Sequence, residues 1–589
     1  MAQSDARFAY QAKLSRTDHD LSSQFGFTCA PGMLLPIFAD IATPGDSYYI
    51  KHDLSFMRTA PLIAPAMIDV KVHFESFFVP LQMIYQPIEN SIFSLQEIQS
   101  SNFYVSEFGN QNLPFFKYMT FANYIGAGSG RTDPPRMNTY RLFDMLDMPV
   151  DDIPGRVAST SDYGSTFPWQ LAAYQAIFQY WYRLDDKESF DHRCFNLDSE
   201  YQINSLGIPA NRIEEMSVLR FRPWNFDYFT GSYRSPIVSN AGTLGIYGEG
   251  ESQLINGNDF RGQSVPINNG GGTYPNNEGI RAFASRMNAD YNTAAMQAQV
   301  STAMIRQMFA NEKLAMIIGR TRKNYDSQVL AHYGVNVPHD PKHDLSLIGR
   351  DSFDLRIGEV TSLASTESAP LGELAGKGWA YGNAEKQHKF TAPCHGVIMT
   401  LFSVEPKLRY EETSSRLNFI TNALELPTPE FDRLGNMPVY KKEVVQYSGS
   451  QSASDPTPWN KIVAWKERYY ANKRRYNRVS AAFRHPGRDY NNYSGYFIHS
   501  CAFSLSPDRQ VDASNENAYY INPFAMNDLM LVSYTDIWQD GSEASGQTGE
   551  NWDDHPTLIF KRDPFICDTY LKVKKVSWMS KDGEPIYNV

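Results

Sequence analysis

Short strand-like segments joined by unusually long connections are the feature that most constrains the fold of this chain. In the clearest segment, 69–75, apolar and polar residues alternate strictly. A period of two residues is typical of a strand with one buried face, so we predict a half-buried strand over 67–80. On its core face we expect Val70, Val72, Phe74 and Phe78, and on the opposite face Lys71, His73 and Glu75.

Short elements separated by long connections are also predicted in the rest of the chain. Further strands are predicted at 353–360, 396–405 and 570–577, and helices at 139–148, 169–184 and 289–318. Connections this long are uncommon in compact domains and usually serve a function. The pattern favours a mainly β fold, a sandwich or barrel that carries long, partly helical insertions.

Two stretches depart from this arrangement. Residues 1–30 are polar and mixed, which predicts an extended N-terminal arm. Residues 231–286 contain runs such as NNGGG at 268–272, and they indicate either a disordered linker or a functional surface insertion. We expect residues 31–589 to form one domain that carries such insertions.

The composition excludes several classes of protein. The net charge is −11, so no basic field covers the whole molecule, although a local basic patch is compatible with it. Charged residues make up 20% and aromatic residues 14%, which suits sheet faces and large protein contacts. The five cysteines are far apart and form no CxxC pair, which argues against a zinc ribbon or a disulfide framework. No segment resembles a signal peptide or a membrane span, so we expect a soluble protein made in the cytoplasm.

The motifs of common enzymes are missing or incomplete. The glycine cluster GAGSG at 126–130 has Arg131 where a dinucleotide-binding fingerprint needs its third glycine. Cys394 and His395 are adjacent, so a strand would place them on opposite faces, where a thiol and its base do not meet. The DDH triplet at 553–555 reads as a solvated loop rather than a cation site. We therefore predict no enzyme activity, no cofactor and no metal site.

One basic segment, 461–488, contrasts with the acidic chain. It holds nine lysines and arginines against a single carboxylate, Glu467, and aromatic residues are interleaved with them. Cations of this kind neutralise phosphates and aromatic rings stack on unpaired bases. The alternative is a solvated helix whose charges pair with acidic loops or with a neighbouring subunit. The residues of this segment that are candidates for nucleic-acid contact are Arg468, Lys473, Arg474, Arg475, Arg478, Tyr470 and Tyr476.

A collinear set of short motifs resembles a known family. The most specific motif is RPWNFDYFT at 222–230. The others include GMLLP at 32–36, PGD at 44–46, MRTAPL at 57–62, FFVP at 77–80, LFDMLDMP at 142–149, PEFD at 429–432 and DPF at 563–565. In this order they resemble the major capsid protein of the Microviridae, the small icosahedral single-stranded DNA phages, and especially its gokushovirus-like lineages. Residues 231–286 depart from the family pattern.

The resemblance implies an eight-stranded antiparallel jelly roll with long insertion loops. It implies a T=1 shell of sixty copies around circular single-stranded DNA, made and assembled in the bacterial cytoplasm. It also implies virion partners: a small basic DNA-binding internal protein, pilot or spike-type minor proteins, and a receptor on the host surface. By analogy with relatives, 231–286 forms an outer protrusion near a three-fold axis and contributes to host attachment.

A second class of protein has the same richness in Tyr, Trp and Asn. A secreted carbohydrate-binding or carbohydrate-cleaving β-sandwich would need a signal peptide and, if hydrolytic, two carboxylates converging in an aromatic cleft. The sequence contains no signal-peptide pattern at its beginning. The sequence does not decide whether such a carboxylate pair exists.

Overall fold

A computed structural model describes a set of segments spread along the chain. They are residues 16–29, 32–59, 69–86, 88, 116–117, 141–148, 165–184, 189–198, 212, 215–223, 226–233, 302–322, 325–361, 374–407, 410, 413–432, 435–444, 462–478 and 565–579. The chain divides into two compact units, one of residues 1–234, 338–432 and 438–589, and another of residues 235–337 and 433–437. No helix in the described segments is long and apolar enough to cross a membrane.

Strands dominate the first unit. In chain order they are β1 (Thr17–Asp20), β2 (Ser23–Cys29), β3 (Leu35–Ala42), β4 (Ser47–Thr59), β5 (Val70–Pro80), β6 (Phe116–Lys117), β7 (Ser165–Thr166), β8 (Ser346–Thr361), β9 (Leu374–Asn383), β10 (His388–Thr391), β11 (Gly396–Pro406), β12 (Asn436–Tyr440), β13 (Ile462–Glu467) and β14 (Phe565–Ser577).

Helices are fewer than strands in the described segments. They are α1 (Leu81–Ile84), α2 (Trp169–Ile177), α3 (Thr302–Arg320), α4 (Tyr325–Tyr333), α5 (Lys441–Val444) and α6 (Tyr470–Lys473). A π-helical turn, Phe178–Tyr182, continues α2, and residues 141–145 are also helical. Single 3-10 turns occur at His192–Cys194, Arg416–Phe419, Ala423–Glu425 and Pro429–Phe431.

The main sheet has ten strands in antiparallel register. The order is β1-β14-β4-β9-β8-β5-β11-β3, with β10 also pairing β4 and β2 also pairing β14. Ile50, Phe78, Ile398 and Val573 belong to one buried cluster, although β14 and β11 lie far apart in this order. The sheet is therefore curled around its core. The mainly β, antiparallel class is confirmed, and the eight-stranded jelly roll stays a prediction.

A buried ion pair links strands from opposite ends of the order. Lys575 on β14 places its Nζ 3.0 Å from Asp40 Oδ2 on β3 and 3.5 Å from Asp46 Oδ2. The Tyr48 hydroxyl donates to Asp40 at 2.6 Å. Since Lys575 is buried, these carboxylates compensate a charge that would otherwise be costly to remove from water.

Most of the elements predicted from periodicity are present. The strands predicted at 67–80, 353–360, 396–405 and 570–577 correspond to β5, β8, β11 and β14. The helix predicted at 169–184 is α2 with its π-helical extension, and Pro168 precedes its first residue. The helix predicted at 289–318 begins at Thr302 and ends at Arg320, and residues 289–301 lie outside the described segments.

The prediction that β5 is half-buried is wrong. Its apolar face is buried as expected and Lys71 is exposed, but His73 and Glu75 on the other face are buried too. The cause is the insertion that contains α2. The rings of Trp181 and Tyr182 contact Phe77, and the Tyr182 hydroxyl donates to the Glu75 carboxylate. An insertion about 100 residues away in sequence thus covers the second face of this strand.

Part of the stretch expected to be an N-terminal arm belongs to the sheet. β1 and β2 both pair with β14, from Thr17 opposite Ser577 to Cys29 opposite Phe565. Because β4 pairs the other side of β14, the N-terminal strands cover an edge that would otherwise be open to other chains. Residues 1–15 lie outside the described segments.

Candidate nucleic-acid interface

The described part of the basic segment, 462–478, is held against the RPWNFDYFT motif. β13 forms a two-stranded sheet with β12, and Trp465 exchanges backbone hydrogen bonds with Tyr233 at 2.7 and 2.8 Å. Further on, Tyr410 donates its backbone N–H to the Asn477 carbonyl at 2.9 Å. The position of the segment therefore depends on Tyr233, which precedes Trp465 by more than 200 positions, as well as on residues nearer in sequence.

Asp227, in the middle of the motif, organises this contact. Its Oδ1 accepts the backbone N–H groups of Phe229 and Thr230 at 2.8 and 2.9 Å, which closes a tight turn. Its Oδ2 accepts the Tyr410 hydroxyl at 2.7 Å. The buried Lys466 donates to the Asp227 backbone carbonyl at 3.3 Å. Lys466 is therefore a structural lysine.

Aromatic rings fill the space between the motif and the basic segment. Tyr228 lies 5.0 Å from Tyr470 and 4.9 Å from Tyr476 between ring centroids. Phe229 lies 5.2 Å from Tyr476 and 5.0 Å from Tyr410. Edge and tilted contacts of this kind add to the apolar area that they bury. The cluster provides a rigid base for the cations that follow it.

Of the two tyrosines predicted as alternative stacking partners, Tyr470 is not available to a base. The side chain is buried, and its hydroxyl donates to the buried carboxylate of Glu443. Arg416 donates to the same carboxylate at 3.2 Å. Burial raises the pKa of the Tyr470 hydroxyl, so this group stays a neutral donor. Tyr476 is only half-buried and keeps part of its surface open.

The predicted cations differ in their freedom to bind phosphate. The half-buried Arg468 places its guanidinium 5.3 Å from the rings of both Phe431 and Tyr469. Lys473 pairs with Asp432 at 2.5 Å. The four cations with exposed side chains are Lys473, Arg474, Arg475 and Arg478.

Arg474 also forms an ion pair, because its Nη2 lies 3.8 Å from Glu467 Oε1. Both this pair and the one between Lys473 and Asp432 are solvent-exposed, and exposed pairs are worth about 1 kcal/mol or less. A nucleic-acid phosphate can therefore compete for them. Lys461 and residues 479–488 lie outside the described segments.

A second surface of similar chemistry was missed by sequence reasoning. On the outer face of the main sheet, Trp379 on β9 lies directly opposite Arg58 on β4 and Arg356 on β8. Tyr381 is 70% exposed, and its ring stacks on Trp379 at 5.6 Å with an interplanar angle of 4°. Cross-strand neighbours share a face, so two exposed guanidinium groups flank this aromatic pair.

The signal for this surface is present in the sequence but is weak. Trp379 and Tyr381 alternate with the buried Ala380, which places both rings on the same face of one strand. The two arginines come from strands about 300 residues apart in sequence. No local pattern indicates that they become neighbours of Trp379.

Two comparisons of the sequence with known proteins, one with a family model and one with a single relative, both match capsid proteins. A model of the family described as capsid protein (F protein) matches residues 9–129 and 151–517. The chain is also similar to capsid protein VP1 of Chlamydia phage 1, with 20% identity over 644 residues that cover 98% of this chain and 96% of the relative.

Proposed function

We propose that this chain, which belongs to the capsid protein (F protein) family, builds a closed T=1 icosahedral shell from sixty copies of itself. Membership in that family makes it a structural major capsid protein of the virion, of the Microviridae type. The family match spans most of the chain, so the carbohydrate-binding alternative is set aside. The proposal extends to assembly in the bacterial cytoplasm, together with a small basic internal protein and minor pilot or spike-type proteins.

Exposed apolar side chains are the observation that carries the shell proposal. Within the second unit, α4 buries none of its residues, and Tyr325 and Tyr333 are 77% and 78% exposed. Phe309 and Leu314 on α3 are exposed as well. Isolated subunits seldom leave so much apolar surface in water, and a closed shell needs several different contacts between copies.

The size of the purified product tests the shell proposal. We expect light scattering and electron microscopy to show closed particles whose mass corresponds to sixty subunits of 66.9 kDa. A product that stays monomeric at every protein concentration would contradict the proposal.

We also propose that the basic segment faces the packaged single-stranded DNA. Sixty copies with a net charge of −11 would repel a genome unless cations are concentrated where the DNA lies. Lys473, Arg474, Arg475 and Arg478 are exposed beside the half-buried ring of Tyr476. Contacts should be made to phosphates and base faces, because the same sixty sites meet different sequences.

Replacing Arg474, Arg475 and Arg478 together by Gln is expected to lower the DNA content of particles several-fold and leave their assembly intact. Each arginine supplies a phosphate contact and none is buried, so the loss should affect packaging rather than folding. The measurement is encapsidated genome copies per particle, by quantitative amplification after nuclease treatment.

The matched control changes the same amount of charge elsewhere. Lys313, Lys386 and Lys389 are also exposed, and their replacement by Gln should leave packaging nearly unchanged. An equal loss in both triple variants would show that only net charge matters. Failure of the arginine variant to form any shell would show that these residues pair with carboxylates across subunit contacts.

Host attachment is proposed for 231–286, most of which lies outside the described segments. A stretch so rich in Gly and Asn offers few apolar groups to a core, and buried loops leave backbone polar groups without partners. We propose that it protrudes from the outer surface near a three-fold axis. Deleting residues 235–286 should give intact particles with strongly reduced adsorption to host cells. Unchanged adsorption would contradict the attachment role.

A further inference from the structure

Three side chains with metal-binding chemistry converge inside the curled sheet. His52 on β4 places Nδ1 2.6 Å from Asp351 Oδ2 on β8. His388 on β10 places Nε2 2.9 Å from the same oxygen. His52 is fully buried, whereas the side chains of Asp351 and His388 are each 17% exposed. The cluster therefore has a closed inner side and a rim that solvent reaches.

The surroundings hold the three side chains in place. Ser76 Oγ lies 2.7 Å from His52 Nε2 and 2.8 Å from Thr400 Oγ1. The ring of Phe74 stacks on His52 at 5.6 Å. His388 packs directly against the backbone of Gly349, where an added Cβ would lie only 2.2 Å from its Cγ. Such outer contacts orient histidine ligands in metal sites.

The charge of the cluster favours a cation. In the described part of the chain, the ion pairs of Asp351 are those with the two histidines. Burial lowers the pKa of His52, so its imidazole is neutral at pH 7, the form that ligates metals. Burial opposes ionisation of Asp351, but hydrogen bonds from both histidines outweigh it and hold the pKa of this carboxyl below its usual value. The carboxylate of Asp351 is therefore the negative charge that the cluster offers to a cation.

We propose that His52, Asp351 and His388 form a binding site for a divalent transition-metal ion of the Zn²⁺ class. Two imidazoles and one carboxylate are a common donor set for such ions, and the open rim leaves a fourth position for water. The donor atoms all lie within 4.8 Å of one another. Around a tetrahedral Zn²⁺ they would sit roughly 3.3 Å apart. The separations of 2.6 and 2.9 Å between Asp351 Oδ2 and the two histidine nitrogens must therefore lengthen by about 0.7 and 0.4 Å on binding.

Binding requires a tautomer change in each imidazole ring. In the hydrogen-bonded cluster, His52 Nδ1–H and His388 Nε2–H donate to Asp351. When these two nitrogens become ligands, the hydrogen of each ring moves to its other nitrogen. His52 Nε2–H then donates to Ser76 Oγ, and Ser76 can donate to Thr400 in turn. The serine that now satisfies the buried histidine would become a second-layer partner of the metal ligand.

The bound ion would connect strands that the backbone does not pair. β10 pairs with β4, whereas β8 pairs with β5 and β9. A metal that bridges His52 and His388 to Asp351 therefore joins β4 and β10 to β8 across the interior. Ions that bind only the folded state add to its stability. We expect the ion to make each subunit, and the particle built from it, harder to unfold.

Metal content and thermal stability of intact particles test the proposal. After treatment with EDTA and dialysis against Zn²⁺, we expect about one bound ion per subunit by elemental analysis and a higher unfolding temperature. Particles loaded with Co²⁺ should show the visible absorption of a four-coordinate N/O site. His388→Gln, which alters a residue at the rim, should abolish both the stoichiometry and the Zn²⁺-dependent rise in unfolding temperature.

The controls separate a ligand from a structural histidine. His192 is exposed and lies outside the cluster, so His192→Gln should keep the ion. Metal-free wild-type particles and His388→Gln particles should unfold at similar temperatures. Gly349→Ala, which pushes His388 aside, should weaken Zn²⁺ binding without removing any ligand. The proposal is overturned if the wild type binds no ion, or if His388→Gln binds as much as the wild type. An unfolding temperature that responds to pH but not to Zn²⁺ would identify the cluster as a hydrogen-bonded unit only.

Discussion

Replacing Arg222 by Met is expected to destabilise the subunit by about 3–5 kcal/mol and to abolish particle formation. The buried guanidinium places Nη1 2.9 Å from Glu75 Oε2 and Nε 3.3 Å from Glu405 Oε2. It also donates to Ser403 Oγ at 3.1 Å. Without it, two buried carboxylates lose the cation between them, and breaking such a pair costs far more than losing an exposed one.

The neighbouring Arg350 provides the matched control. Its Nε lies 2.8 Å from the other oxygen of Glu75, but its side chain is 46% exposed. Arg350→Met should therefore cost about 1 kcal/mol or less and leave assembly intact. The double variant Arg222→Met, Glu405→Gln should recover part of the lost stability, because it removes one of the two buried carboxylate charges that Arg222 no longer compensates. Thermal unfolding measures the stability of each variant, and particle yield measures its assembly. Equal losses of stability in Arg222→Met and Arg350→Met would contradict this account.

Phe74→Ala is expected to cost about 3–5 kcal/mol and likewise to prevent assembly. Phe74 is fully buried, and its ring meets Phe402 at 5.2 Å and Phe353 at 5.7 Å, both in edge-to-face geometry. Its removal leaves a cavity between β5, β8 and β11, and close-packed surroundings relax only partly into such a space.

A substitution on the same strand controls for effects on β5 itself. Lys71 is exposed, three residues before Phe74, so Lys71→Ala should change stability by no more than about 0.5 kcal/mol. Urea denaturation of the subunits, with particle yield from the same preparations, measures both variants. A loss below about 1 kcal/mol for Phe74→Ala would show that this position is not in the core.

The proposed metal site illustrates the limit of motif reasoning. A local hint exists, because His52 interrupts an apolar face made by Tyr48, Ile50 and Leu54 at period two. Its partners Asp351 and His388 follow at a distance of about 300 residues or more and belong to other strands. Metal motifs are recognised when the ligands are close in sequence, and here only the pairing of β10 with β4 and the curl of the sheet bring them together.

The basic segment, 461–488, shows that the sequence also does not predict which charged side chains stay exposed. The sequence establishes how many cations it contains, but each cation acquires its neighbours from elsewhere in the chain. Lys466 is buried over Asp227, Tyr470 is buried against Glu443, and Lys473 meets Asp432. Composition therefore predicted a phosphate-binding segment, while packing decided which of its side chains remain exposed.

The sequence by itself determined the strands β5, β8, β11 and β14, the helix that begins at Trp169, and the family, because periodicity and short collinear motifs are local properties of the chain. It did not determine what covers each element. The period-two pattern of β5 identified the two faces correctly, but the burial of Glu75 depends on Tyr182 and Arg222, which are more than 100 residues away. Only the tertiary structure decides such matters, since burial and pairing depend on neighbours in space, and these strands pair mostly with partners remote in sequence.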